Sequence, residues 1–210
     1  MQLTSNLRDT RKFWENYYAG IIAGDSALVE EPSPYARTII SEISANSTLL
    51  ELGCGNGRDS CYFASCGLAV IATDVCENAI KITSRKLPST SRALVASTTG
   101  LPDIVVDYAY ARFVLHALTE EEQDAMFKWL KLHVRRKVFI ETRSLKDPRC
   151  GKGKQVGRHA YIDTHYRRFM SCEELIAAAT RAGFKECQVE ETVPGSGNDG
   201  ACVIRATLAL

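Results

Sequence analysis

Short apolar runs alternate with amphipathic stretches along most of this chain. Thr48–Glu51, Leu68–Thr73, Ala93–Ala96, Tyr108–Val114 and Val138–Thr142 read as buried strands. Between them, Arg58–Cys66 is stopped by Gly67 and Glu77–Leu87 by Pro88, both with helical spacing. A longer helix opens at "TEEEQDAMFKWLKLHV", where Thr119 and Glu122 have the spacing of a capping box. Ser171 and Glu174 repeat that signal before "SCEELIAAATRAGF", which Gly183 closes. Strands separated by helices imply right-handed crossovers, hence an α/β fold with a mainly parallel, doubly wound sheet. The end of the chain differs: Glu186–Val193 and Cys202–Leu208 are joined by "PGSGNDGA" with no helix between them. They are expected to form a hairpin, so that the last strand runs antiparallel.

At 210 residues, 45% apolar and 24% charged, the chain suits one domain, 1–210, with one sizeable core. The charged start of the chain lacks the apolar stretch of an export signal, and no run reaches the length of a membrane span. A cytoplasmic protein is expected. Eight cysteines occur without any Cys-x-x-Cys pair, which favours reduced, buried thiols and no metal.

Charge is uneven along the chain. The net is only +1, yet Arg143–Arg168 carries eight Arg/Lys against Asp147 and Asp163. The stretch "ETRSLKDPRCGKGKQVGRHAYIDTHYRRF" follows the fifth strand and reads as a long excursion, 143–170, of the kind usually kept for function. Its cations can hold phosphate, phosphonate or carboxylate oxygens. Arg143, His159, Tyr161, His165, Tyr166, Arg167 and Arg168 are the candidates for substrate binding, with about half of them facing inward because an extended chain alternates. Lys146, Arg149, Lys152 and Lys154 read as a solvated run. A near-neutral chain argues against nucleic acid as the partner and for a compact anionic metabolite.

The first strand runs into "LLELGCGNGRDS". Gly53, Gly55 and Gly57 permit a tight strand-to-helix turn and close approach of a ligand. The third glycine of the dinucleotide fingerprint is replaced by Arg58, and no Gly-x4-Gly-Lys-Ser/Thr exists, so pyrophosphate and NTPase loops are disfavoured. The second strand ends at Asp74, where a carboxylate can accept from both hydroxyls of a ribose.

With that loop and that acid, the sequence resembles the class I S-adenosylmethionine-dependent methyltransferases over nearly its whole length. The resemblance implies a Rossmann-like sheet of seven strands, S-adenosylmethionine as cofactor and S-adenosylhomocysteine as product. It places Gly53 and Gly55 beside the methionine part, Asp74 at the ribose and Val75 at the adenine edge. Arg58 would sit near the cofactor carboxylate, as in the similar Gly-Asn-Gly-Arg loops of tellurite-resistance and thiopurine methyltransferases, or pair within its own helix. "FWENYYAG" and "EEPSPYARTI" resemble the N-terminal lid, 1–46, of bacterial enzymes acting on capsule, polysaccharide and phosphonate-type metabolites. Tyr18 is then a lid residue over the cofactor, or part of an aromatic helix face with Trp14 and Tyr17. The acid that commonly meets the adenine amino group has only Asp103 to represent it in "ALVASTTGLPD".

The fourth strand ends in "YARFVLHAL" rather than the Asp/Asn-Pro-Pro-aromatic of many base N-methyltransferases. Arg112 and His116 follow that strand at the carboxyl edge, where ligands sit in open α/β sheets. Arg112 can fix the cofactor carboxylate or the acceptor. His116 is the candidate catalytic base or orienting donor, or a structural histidine. The expected activity is O-methylation of a small anionic metabolite by a monomer or homodimer; N-methylation of a small molecule and a non-catalytic cofactor sensor or partner subunit are the alternatives.

Overall fold

The computed structural model describes residues 3–24, 28–192 and 200–210, with side chains from Thr10 onward. The connector expected within 193–199 lies outside the described residues. Two compact units divide the chain, Met1–Pro102 and Asp103–Leu210.

The first unit opens with helix α1 (Leu3–Ala23) and the short α2 (Pro34–Ile39), followed by β1 (Thr48–Leu52), α3 (Arg58–Ser65), β2 (Ala69–Asp74), α4 (Glu77–Ser84) and β3 (Arg92–Val95). Ser33 caps α2 by accepting from the Ala36 N–H, with Pro34 at the first helical position, where its missing N–H costs nothing. β1 pairs in parallel with β2, and β2 with β3. Leu49, Leu50, Leu52, Val70 and Ala72 bury the centre of this half, as strands covered on both faces require.

The second unit contains β4 (Val106–Arg112), α5 (Glu120–His133), β5 (Val134–Arg143), β6 (Lys154–Gly157), β7 (Ala160–Ile162), β8 (Tyr166–Arg168), α6 (Cys172–Arg181), β9 (Glu186–Glu191) and β10 (Val203–Ala209). Both capping boxes are formed: Thr119 Oγ1 accepts from Glu122 N at 3.3 Å while the Glu122 carboxylate accepts from Thr119 N at 2.9 Å, and Ser171 and Glu174 repeat the exchange. The seven main strands run in the order β3-β2-β1-β4-β5-β10-β9. β4 and β5 are parallel, and β10 is antiparallel to both β5 and β9, as the hairpin signal implied. β9 alternates exposed and half-buried positions, with Glu186, Gln188 and Glu190 outward; charge along an edge strand discourages pairing with another chain.

Two expectations change. β5 begins at Val134, four residues before its apolar run, because Arg135 and Arg136 occupy exposed positions of the strand and hide its start from a hydrophobicity reading. The excursion over 143–170 is not an irregular loop: β6, β7 and β8 form an antiparallel three-stranded sheet within it. Gly153 closes its approach to that sheet. With φ at +89° and the Ile162 carbonyl 2.3 Å from where a Cβ would stand, no other residue fits there.

All eight cysteines are free thiols, Cys54, Cys76 and Cys202 buried and Cys66 exposed. No described helix is long and apolar enough to cross a membrane, and no described group of His, Cys, Asp and Glu could hold a metal ion.

Candidate functional site

In the first unit the glycine loop, the end of β2 and α1 converge. Gly53, Gly55 and Gly57 all have positive φ, at 65°, 55° and 77°, so the turn from β1 to α3 is left-handed at each. Asp74 fastens this turn. Its Oδ2 accepts from Gly55 N at 2.9 Å and its Oδ1 from Cys76 N at 2.9 Å. Burial pushes the Asp74 carboxyl above its ordinary range, against those hydrogen bonds, which pull it down. Each oxygen keeps a second lone pair, so the carboxylate can still accept from a diol. Thr83 of α4 donates to the Gly55 carbonyl at 3.0 Å, and a Cβ on Gly57 would strike that threonine at 2.7 Å.

α1 closes over the loop. The Tyr18 hydroxyl stands 2.4 Å from where a Cβ on Gly55 would be, and its ring stacks on Trp14 at 6.2 Å. Burial, then the nearby Asp74 carboxylate, pushes the Tyr18 phenol well above its ordinary value, so it is a neutral donor. Glu15 holds the helix in place, a role no sequence pattern announced: its carboxylate accepts from Glu77 N at 2.7 Å and Asn78 N at 3.2 Å at the start of α4, where negative charge meets the positive end of the helix dipole. Asn56 reaches back to the Val29 carbonyl at 2.8 Å. Arg58 lies 4.0 Å from Asp59, whose carboxylate takes the Ser33 N–H and hydroxyl, so Arg58 has a partner at the start of its own helix. Val75 is half-buried beside Asp74.

A left-handed glycine turn, a carboxylate at the next strand end and a phenol above them are groups that could hold the methionine and ribose parts of S-adenosylmethionine.

The second unit gathers the polar residues that follow β4 and β5. His116 is 5% exposed, and its Nδ1 has no hydrogen-bond partner among the described residues. Burial, then Arg143, His165, Arg167 and Arg112, pushes the imidazole well below its ordinary range. Phe113 lies edge-on to it at 5.7 Å and is itself flanked by two guanidinium groups, Arg112 at 4.3 Å and Arg143 at 4.9 Å from the ring centroid. Phe113 has φ +54°, an unusual conformation for a bulky residue and one concentrated at functional positions.

Each arginine of the cluster is anchored. Arg112 Nε and Arg205 Nε donate to the two oxygens of buried Glu141, at 2.8 and 2.9 Å. Arg143 donates to Asp147 at 2.7 Å, and Arg167 is paired with Asp163. His165 contacts the Thr164 hydroxyl at 3.1 Å; burial, then Arg167, pushes it down to about 4.

Alternation along β8 divides the remaining candidates. His165 and Arg167 share the face that reaches Arg143 and Arg149. Tyr166 and Arg168 take the opposite face. Arg168 donates to the Leu118 carbonyl at 3.1 Å and Gln123 at 2.5 Å, and Tyr166 is buried near the Glu120–Glu122 turn. Arg168 thus binds the small sheet to the start of α5, and Tyr166 lies on the same side, away from His165 and Arg167. His159 stands apart from that cluster: at the β6–β7 turn with φ +55°, it sits 3.7 Å from Glu174, which also pairs with Arg158. Tyr161 is half-buried with its ring 6.1 Å from Phe169. Asp103, fully exposed, bonds His133 at 3.1 Å.

Residues 49–137 match the family described as methyltransferase domain. No curated protein matches the chain in sequence. Among solved structures, an S-adenosylmethionine-dependent methyltransferase from Mesorhizobium loti is 16% identical, with TM-score 0.68 over 84% of this chain and 96% of that one. A TehB-like S-adenosylmethionine-dependent methyltransferase from Corynebacterium glutamicum is 17% identical, with TM-score 0.61 over 93% and 96%. The 1,6-didemethyltoxoflavin-N1-methyltransferase of Burkholderia thailandensis, solved with its substrate and S-adenosylhomocysteine, is 16% identical, with TM-score 0.72 over 99% and 89%. Residues 49–137 therefore match a methyltransferase domain, and the chain has the fold of solved S-adenosylmethionine-dependent methyltransferases.

Proposed function

We propose that this methyltransferase acts on an oxygen of a small anionic acceptor, with Gly53, Gly55, Asp74, Val75 and Tyr18 holding S-adenosylmethionine and the cluster around His116 holding the acceptor. One observation carries the reading of the acceptor: a buried, uncharged imidazole with an open Nδ1 stands among Arg112, Arg143, Arg167 and His165. Cations gathered at a buried position select a negative partner. Bound S-adenosylmethionine supplies a methyl group on a sulfonium, and displacement onto the acceptor oxygen leaves S-adenosylhomocysteine.

The chain's own residues orient rather than deprotonate. A base works best with a pKa near the operating pH, and both His116 and His165 lie below that range. An acceptor oxygen that is already ionised has no proton to lose, so a carboxylate, phosphate or phosphonate suits this cluster better than a sugar hydroxyl. His116 then acts as a hydrogen-bonding post, and Arg143 and Arg167, each fixed by its aspartate, align the anion.

A nitrogen acceptor is the second reading. The structurally similar Burkholderia enzyme is an N1-methyltransferase, and a neutral histidine can hydrogen-bond a heterocycle as readily as an oxyanion. Calorimetric titration with S-adenosylmethionine, followed by a methylation assay over anionic, sugar and heterocyclic metabolites, separates the cases. Turnover confined to anionic members supports the proposal; turnover confined to neutral heterocycles replaces it with the second reading, and binding without turnover on any member points to a sensor.

A further inference from the structure

Beside that cluster lies a cleft of about 290 Å³ lined by Arg143, Asp147, Pro148, Arg149, Lys152, Asp163, Gly200 and Ala201. Its two carboxylates are already engaged. Asp147 takes Arg143 on one oxygen and the Arg149 backbone N–H, at 2.8 Å, on the other. Asp163 takes Arg167 together with the Thr164 N–H and hydroxyl. The side chains of Arg149 and Lys152, by contrast, have no carboxylate partner among the described residues. With Arg167 behind Asp163, the described residues of the cleft set four cations against two acids, a surplus of two positive charges among them.

Those cations repel one another. Burial, and the like charges of Arg149 and Arg143, work against Arg167 and pull it below its ordinary value in spite of Asp163. His165 is also disfavoured as a cation, first by burial and then by Arg167, Arg143 and Arg149, with Asp163 opposing. Guanidinium groups held together at this cost form a site that a counter-ion would complete, and the planar forks of Arg143 and Arg149 suit paired oxygens. Nothing in the spacing of Arg149 and Lys152 shows that Gly151 and Gly153, both at positive φ, fold the strap so that they face one cleft.

We propose that this cleft is a subsite for a dianionic group, a phosphate or phosphonate monoester or a pair of carboxylates, carried by the methyl acceptor. The proposal rests on the methyltransferase reading and specifies its substrate class: the acceptor bears a second anionic group, recognised by Arg149 and Lys152, in addition to the atom that receives the methyl.

The test uses inorganic phosphate, malonate and acetate as probes, titrated into the full chain with S-adenosylhomocysteine present. Phosphate is expected to bind once per chain, malonate to compete with it, and acetate to bind at least about tenfold more weakly, as expected when one of two charge-assisted contacts is missing. In the double variant R149A/K152A, phosphate affinity is expected to fall by at least about tenfold for the same reason, with S-adenosylmethionine affinity unchanged. These two residues are off the core, so the variant should fold. In the metabolite panel, turnover on phosphorylated or dicarboxylate members should be inhibited competitively by phosphate in the natural protein. Phosphate binding that leaves turnover on those members unaffected would assign the site to a free anion and overturn the acceptor assignment. Failure of phosphate to bind a chain that binds S-adenosylmethionine, or equal binding by R149A/K152A, would overturn the subsite itself. Failure to bind S-adenosylmethionine at all sinks the methyltransferase reading instead, and is recognised separately.

Discussion

The Tyr18 hydroxyl occupies the space that any side chain at position 55 would need, 2.4 Å from a Cβ built on Gly55. Helix α1 and the glycine loop are therefore fitted to each other. Two costs fall on Gly55→Ala: the left-handed conformation at φ +55°, worth about 1–2 kcal/mol for an L-residue, and displacement of the tyrosine. Because the obstructing atom is the end of a side chain, Tyr18→Phe should recover part of the loss. Urea unfolding of both single variants and the double variant measures the coupling; strict additivity would mean that the hydroxyl is not over the loop.

Asp74 supports the loop as well as offering itself to a ribose. Removing its carboxylate frees the N–H groups of Gly55 and Cys76. Asp74→Ala is expected to weaken S-adenosylmethionine binding by about 1–3 kcal/mol, the range for lost hydrogen bonds to a charged group, and to lower stability without ligand. Asp74→Asn should do little better, since an amide turns an NH2 toward one of two donors. Calorimetry and denaturant melts read the two effects; unchanged affinity in the Ala variant removes Asp74 from the cofactor site.

These contributions differ in how far the sequence discloses them. Asp74 was legible because it ends an apolar run after a glycine turn, and both capping boxes were legible because their partners lie three residues apart. Local chemistry at fixed spacing is what a sequence states openly. The small sheet was hidden because β6, β7 and β8 are three or four residues long and interrupted by Gly157 and Asp163, too short for any period to register. That Arg167 and Arg168 serve opposite faces follows from alternation, but which face holds which partner depends on Asp163, Leu118 and Gln123, brought together only by the fold. Glu141 was likewise passed over as a strand residue, although its carboxylate holds Arg112 and Arg205 together.

Two buried histidines set an acid limit on stability. His116 is pushed far down by burial and by Arg143, His165, Arg167 and Arg112; His165 is pushed to about 4 by burial, Arg167, Arg143 and Arg149, with Asp163 opposing. In the unfolded chain both titrate near about 6.5. Between that value and their folded values the unfolded state binds more protons, so stability is full above about pH 6.5 and declines as pH falls toward 4. His165→Asn should flatten this decline. Chemical melts at intervals from pH 7.5 to pH 4.5, read at equal ionic strength, test it; a variant profile parallel to the natural one would contradict the assignment.

Arg167 and Arg168 are adjacent, equally buried at 8% exposure, and predicted to fail in different assays. Arg168 donates from Nε to the Leu118 carbonyl and from Nη2 to Gln123, a two-point attachment that a lysine cannot reproduce. Arg168→Lys should therefore cost about 1–3 kcal/mol of stability, as a buried acceptor at Gln123 or Leu118 loses its donor, while the acceptor KM of the folded enzyme is unchanged. Arg167 faces the cationic cluster and is held there by Asp163. Arg167→Lys keeps a charge that Asp163 can still pair, so stability should change less, yet the fork that aligns an anion is lost and acceptor KM should rise. S-adenosylmethionine affinity should be the same in both variants, because its expected contacts are with Gly53, Gly55, Asp74 and Tyr18. The pair of variants thus reads out the alternation of β8 directly: if Arg168→Lys raised acceptor KM and Arg167→Lys only lowered stability, the two faces of the strand would have to be exchanged, and with them the residues assigned to the acceptor.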